Sequence, residues 1–209
     1  VATETDEIPQ LAALAERARA NAVPITQMGP EEARSYEPHV SCLAALHVAS
    51  TGRADFVAVA QVLARRVVEA GGAVRNGTRA GRATPTPSGW RIDTGSTPVE
   101  ASFLVGCAGL HADRVARASG ERPEARILPF RGEYLDVVGP SADLVRGLVY
   151  PVPDPKFPFL GVHLTRGLDN RVHAGPNAVL ALAREGYRWS DISARDLAGT
   201  AIWPGTARL

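Results

Sequence analysis

The feature that most constrains the fold is a change of hydrophobic period part-way along the chain. Over residues 55–69, Phe56, Val59, Ala60, Leu63 and Val67 form an i, i+3, i+4 stripe, and Gln61, Arg65 and Glu69 fall off it. From Arg126 the period drops to two. Arg126 to Val138 alternates as one long strand, and Leu160, Val162 and Leu164 alternate with Gly161, His163 and Thr165. A 3.6-residue period needs a helix covered on one side, and a two-residue period needs a sheet with one wet face. In that order they predict an α/β portion followed by a mainly antiparallel sheet flanked by helices, an α/β plus α+β fold.

Local signals fill in the elements. Thr5 or Asp6 caps a helix reaching about Asn21, with Ile8, Leu11, Ala15 and Ala18 on one face. Residues 24–27 suit a short strand. Gly29-Pro30-Glu31-Glu32 opens a short helix that Pro38 ends, and residues 43–49 read as an apolar strand. Asp55 caps the clearest helix and Gly71-Gly72 closes it. Ala73 to Arg79 is predicted as a strand and 84–100 as a hairpin whose turn holds Gly95. Ser102 to Cys107 reads as a buried strand that turns at Ala108-Gly109 into a helix over 111–119. Leu148 to Pro151 and Arg171 to Ala174 complete the strands. Val1-Ala2-Thr3 reads as the tail of a strand and Trp203 onward as the start of another element, so both ends read as cut.

Composition excludes several function classes. A net charge of +1, from 23 basic and 22 acidic residues, gives no electrostatic basis for binding nucleic acid. No apolar run is long enough for a membrane span, and no signal peptide is visible, so a cytoplasmic location is expected. The two cysteines, Cys42 and Cys107, are too few for a disulfide framework and are expected as buried thiols. His39, His47, His111 and His173 have no metal-like spacing, so no metal is expected. His47, in an apolar strand, reads as a core histidine.

No Gly-x-Gly-x-x-Gly, P-loop, Gly-x-Ser-x-Gly elbow or His-Glu-x-x-His helix occurs. The succession Pro129-Phe130-Arg131-Gly132-Glu133-Tyr134, then Tyr150-Pro151-Val152-Pro153-Asp154-Pro155, then Phe157 to Arg166, then Gly175-Pro176-Asn177-Ala178 and Arg184-Glu185-Gly186-Tyr187 carries more. It resembles the L-2-hydroxyglutarate dehydrogenase/oxidase family of FAD enzymes, within the D-amino-acid-oxidase-like superfamily. The resemblance is specific over about 126–209. It is looser over 1–110, through Gly52-Arg53-Ala54-Asp55-Phe56, Gly71-Gly72-Ala73-Val74 and Cys107-Ala108-Gly109.

That resemblance implies part of an FAD-binding α/β domain joined to a substrate domain. Residues 1–40 are expected as a helical part of the substrate domain. Residues 41–125 are expected as a partial FAD-binding domain, and 126–209 as the substrate-binding sheet and a following helix. The family's Gly-rich FAD segment is expected upstream of Val1 and a second FAD-contacting segment downstream of Leu209. The chain then reads as a central fragment, inactive alone, with FAD bound in the full-length protein.

The implied chemistry is oxidation of a 2-hydroxy acid, which needs a base, a hydride acceptor and groups that hold carboxylates. His163 is the candidate base: imidazole titrates near neutral pH, and small Gly161 lies beside it on the same face. A half-exposed structural histidine is the alternative. Arg131 and Arg166 are candidate carboxylate clamps, with surface arginines as the alternative. Tyr134, Thr165 and Asn177 are further substrate candidates. Arg131 and Tyr134 fall on opposite faces unless Gly132 marks a bulge, and Glu133 pairs with a neighbouring cation. Ala80, Cys107, Ala108, Gly109, Gly175 and Pro176 are the cofactor candidates. Gly175-Pro176-Asn177 reads as a rigid turn, at a ligand or simply at a strand end.

The implied substrate is a small 2-hydroxy-dicarboxylate. A peripheral membrane or quinone link is the implied partner, at the inner membrane face. Two other readings remain open: another superfamily member acting on an amine or glycerol phosphate, and a non-catalytic ligand-binding module.

Overall fold

A computed structural model describes residues 1–156 and 161–208. The helices are α1 (Ile8–Ala20), α2 (Pro30–Tyr36), α3 (Phe56–Glu69), α4 (Ala112–Ala118) and α5 (Ala194–Ala201), with short 3-10 turns between. The strands are β1 (Thr26–Met28), β2 (Ala45–His47), β3 (Ala83–Thr86), β4 (Gly89–Ile92), β5 (Val99–Ala101), β6 (Phe130–Val137), β7 (Leu148–Val149), β8 (His163–Arg166) and β9 (Val172–Leu180). Among the described residues, no helix is long and apolar enough to cross a membrane.

The chain divides into two compact units, residues 1–61 with 132–179 and residues 62–131 with 180–209.

In the first unit, β1 and β2 pair antiparallel, and Ala2 forms an isolated antiparallel bridge to Ala44. Burial of Leu11 and Ala15 orients α1 as its periodicity predicts, and Leu11 packs with Ala2 and Val152. Its cap differs from expectation. The Glu7 carboxylate, in place of Thr5 or Asp6, accepts from the amides of Thr3 (2.6 Å) and Glu4 (3.0 Å). These bonds hold the Glu7 carboxyl below its ordinary value. Met28, Ala33 and Ala45 form a second small cluster. The main sheet has the order β6-β9-β8-β7, with β7-β8 and β8-β9 antiparallel. The Glu37 carboxylate, just after α2, accepts from the amides of Arg146 and Gly147 and so fixes the approach to β7.

In the second unit, β3-β4-β5 is an antiparallel meander. The single hairpin expected over 84–100 is therefore two. One turns at Pro87-Ser88 and the other carries Gly95 at φ +74. Asp113 on α4 is buried and paired with Arg184 (2.6 and 3.2 Å) and Arg117 (3.3 Å). Asp196 on α5 pairs with Arg114 and accepts from the Arg184 amide at 2.8 Å. Burial pushes both carboxyls up. Hydrogen bonds and charge, from Arg184 and Arg117 at Asp113 and from Arg184 and Arg114 at Asp196, outweigh it and hold both below the ordinary value.

Helix α3 keeps its predicted cap, since Asp55 Oδ1 accepts from the amides of Val57 (2.9 Å) and Ala58 (3.0 Å). Its apolar stripe is nevertheless exposed: Phe56 is 78% accessible, Leu63 56% and Val67 46%. Residues 73–79 and 102–107 do not form the predicted strands. Among the described residues no ladder partner pairs with either segment, and Phe103 and Val105 stand in solvent. Cys107 is exposed and Cys42 half-buried, so neither thiol is fully buried. The strand expected from Arg126 begins at Phe130.

Candidate active site

Four strands of the first unit set one row of groups across a sheet face. The β8-β9 register puts His163 opposite Gly175. The β7-β8 register pairs Val149 with Leu164, so its next step brings Tyr150 beside His163. There the two rings stack, with centroids 4.3 Å apart and planes 26° apart. On the other side, a Cβ on Gly175 would meet Tyr134 Cδ1 on β6 at 2.8 Å. The row therefore reads Tyr150, His163, Gly175 and Tyr134, with Tyr134 and the β6 main chain close against Gly175.

The histidine in this row is oriented. His163 is 7% exposed, and its Nδ1 lies 3.0 Å from the Gly161 carbonyl oxygen. A carbonyl oxygen only accepts, so Nδ1 carries the proton and Nε2 of the neutral ring keeps its lone pair. A buried, backbone-tethered imidazole with a free acceptor nitrogen is suited to take a proton. The half-exposed alternative does not describe it. The exposed residue is its apolar neighbour Val162, 58% accessible, while Leu160 lies outside the described residues.

The sheet also places other predicted residues. Thr165 faces His173 in the ladder, and His173 Nδ1 is 2.7 Å from Asp136 Oδ1. Asn177 Oδ1 accepts from the Glu133 amide at 3.0 Å, and its Nδ2 approaches Glu133 Oε2 at 3.4 Å. Gly175-Pro176-Asn177 is not a turn: all three lie inside β9, with the Gly175–Pro176 bond cis. Proline enters this central strand because Gly132 faces it, where a Cβ would stand 2.7 Å from Pro176 Cβ. That virtual Cβ would also lie 3.4 Å from the Tyr134 ring, so Gly132 and Tyr134 share a face.

The two arginines lie in different units. Arg166 donates to three main-chain carbonyls, from Nε to Val145 (2.8 Å), Nη2 to Ala142 (2.6 Å) and Nη1 to Asn170 (2.9 Å). A guanidinium so engaged fastens loops to the end of β8. Arg131 belongs to the second unit, where its guanidinium lies 4.1 Å over the Trp189 ring.

The second unit carries most of the cofactor candidates. Ala80 and Cys107 are exposed and Ala108 half-buried. Gly109 has φ +50, with open space where a Cβ would be, and begins the 3-10 turn leading into α4. A positive-φ glycine in open space after an unpaired extended segment lets a ligand approach the main chain closely.

The sequence profile of the family described as FAD dependent oxidoreductase (DAO) matches residues 1–204. The chain belongs to this FAD dependent oxidoreductase family. It is 40% identical over 207 residues to an L-2-hydroxyglutarate dehydrogenase of Indibacter alkaliphilus, covering 98% of this chain and 52% of that one. It is also 40% identical over 222 residues to the mitochondrial L-2-hydroxyglutarate dehydrogenase of Homo sapiens, covering 100% of this chain and 48% of that one. The chain thus spans about half the length of the curated relatives it matches. A dithionite-reduced L-alpha-glycerophosphate oxidase from Mycoplasma pneumoniae, solved with FAD bound, shares the fold. The TM-score is 0.71 at 23% identity, covering 92% of this chain and 52% of that one.

The oxidoreductase fold was legible in the residue pattern, but two parts of the site were not. The sequence shows Tyr150 only as part of a motif, because its partnership with His163 depends on the β7-β8 register. His47 lies at 4.3 Å from the Tyr36 ring and lines an apolar cleft of about 860 Å³ with Leu11, Leu14 and Val152. It is half-buried rather than a full core residue. Tyr150 lines that cleft as well.

Proposed function

We propose that the protein of which this chain forms about half oxidises L-2-hydroxyglutarate, or a closely similar 2-hydroxy acid, to the 2-oxo acid. One observation carries this reading: a buried His163, its Nδ1 proton held by the Gly161 carbonyl, stands in one row with Tyr150, Gly175 and Tyr134. The chain that holds it is 40% identical to relatives named L-2-hydroxyglutarate dehydrogenase.

His163 Nε2 takes the substrate hydroxyl proton, while the Gly161 carbonyl holds Nδ1–H and keeps the ring from turning. The Tyr134 phenol, on the β6 residue packed against Gly175 and 53% exposed, donates to a substrate carboxylate. Thr165 and Asn177 add hydroxyl and amide groups on β8 and β9. When bound, FAD supplies the ring that accepts the hydride. In this chain the exposed main chain at Cys107-Ala108-Gly109 fits such a cofactor, since Gly109 offers backbone with no side chain over it. The exposed stripe of α3 also fits a chain that is part of a larger fold, because scattered single apolar residues are ordinary at a surface and a whole stripe is not.

The test is anaerobic mixing of the intact flavoprotein with single candidate substrates. Loss of the oxidised flavin absorbance with L-2-hydroxyglutarate, and not with its D enantiomer, glycine or glycerol 3-phosphate, is the expected result. Bleaching by one of the latter pair alone would replace this reading with an amine or glycerol phosphate oxidase.

A further inference from the structure

We infer that Tyr150 is a positioning residue for His163, a deeper reading of the site that rests on the proposed base role. Three observations converge on it. The β7-β8 register delivers Tyr150 to the position opposite His163, and the rings stack at 4.3 Å and 26°. The opposite neighbour of His163 is Gly175, which has no side chain to brace the ring. The Gly161 carbonyl fixes one nitrogen of the imidazole but leaves the ring able to pivot about that bond.

A ring held by one hydrogen bond, with no side chain on its Gly175 neighbour, needs a wall on the other side. Tyr150 is that wall. Pro151 follows it directly and Pro153 comes two residues later, which stiffens the segment that presents the phenol. As His163 takes the hydroxyl proton, its positive charge develops against the face of the Tyr150 ring, where the aromatic quadrupole favours it. The phenol hydroxyl has no part in this, so the stacking face and not the oxygen is the working group. Phenylalanine should therefore serve in its place, and an aliphatic side chain should not.

The experiment compares Tyr150→Phe with Tyr150→Leu in the intact flavoprotein. Two readouts are followed: anaerobic flavin reduction by L-2-hydroxyglutarate, and the ¹⁵N chemical shifts of the His163 ring. Tyr150→Phe is expected to reduce within about twofold of the parent, and Tyr150→Leu about five- to tenfold more slowly at saturation, as the loss of one aromatic contact requires. Half-saturation by substrate should be little changed in both. In Tyr150→Leu the ring nitrogens should report a mixed tautomer population, and in Tyr150→Phe the Nδ1–H form alone. Equal reduction rates and an unchanged tautomer in Tyr150→Leu would overturn the inference. So would a change confined to half-saturation, or a loss in Tyr150→Phe equal to that in Tyr150→Leu. If His163→Ala leaves reduction intact, the base role fails by itself, and the ¹⁵N readout still decides whether Tyr150 orients the ring.

Discussion

Replacing Gly175 by alanine tests whether the close approach of β6 to the residue opposite His163 is built into the sheet. Gly175 has φ +150, a region that costs an L-residue about 1–3 kcal/mol. The added Cβ would lie 2.8 Å from the Glu133 carbonyl oxygen, 2.8 Å from Tyr134 Cδ1 and 3.1 Å from Tyr134 Cα. Two of those three atoms are main chain of β6, which cannot swing aside as a side-chain tip can. Relief requires β6 to move, an overpacking cost of about 1–3 kcal/mol. The reduced freedom of the unfolded alanine chain returns only about 0.4–1 kcal/mol. The net expectation is a loss of about 1–5.5 kcal/mol. Gly106→Ala is the control, because its Cβ would meet nothing within 4 Å. It should be neutral or stabilising by up to about 1 kcal/mol. All three tryptophans, Trp90, Trp189 and Trp203, lie in the second unit, so tryptophan fluorescence would report the wrong region. Urea-dependent amide hydrogen exchange of β8 and β9 is the suitable assay. A Gly175→Ala variant within about 0.5 kcal/mol of the parent would refute the reasoning.

Three further outcomes follow from the same geometry. Asp113→Asn should destabilise the second unit by about 3 kcal/mol, since it leaves nearly buried Arg184 without its charge partner; thermal unfolding followed by tryptophan fluorescence checks this. Asp113 and Asp196 both have lowered folded-state values, so their contribution is present above the unfolded value near pH 4 and is lost as pH falls below it. The parent should therefore lose more stability on acidification than Asp113→Asn does, in urea titrations run at each pH. Arg166→Lys should cost about 2–4 kcal/mol, because one ammonium cannot span three carbonyls, and should leave substrate affinity of the intact protein unchanged in equilibrium titration. Leu63→Ala should change the stability of this chain by no more than about 0.5 kcal/mol and that of the intact protein by about 2–4 kcal/mol, read by parallel urea titrations.

What was legible in the sequence is what local rules decide. Asp55, the α3 stripe, the α1 face and the antiparallel character of the second half follow from capping chemistry and side-chain period. Residues 102–107 misled because apolar composition states only that a segment suits a ladder, and a ladder needs a second strand, while in 73–79 Asn76-Gly77 makes a turn. Gly175-Pro176 was read as a turn because proline is seldom found in a central strand. Only the fold reveals that Gly132 lies against it and makes room. Period two found the face that carries His163. It could not find Tyr150, 13 residues away, because register is set by pairing and not by composition. Arg166 shows a further limit: residue type marks a guanidinium but not whether carbonyls or a ligand will occupy it.

The central claim is that His163 takes the substrate proton, and the direct measurement is the limiting rate of anaerobic flavin reduction in His163→Ala of the intact protein. Loss of a general base predicts a fall of about 10²–10⁴-fold in that rate, with substrate dissociation changed only a few-fold. A reduction rate equal to the parent's would contradict the account and leave His163 a structural residue of the sheet.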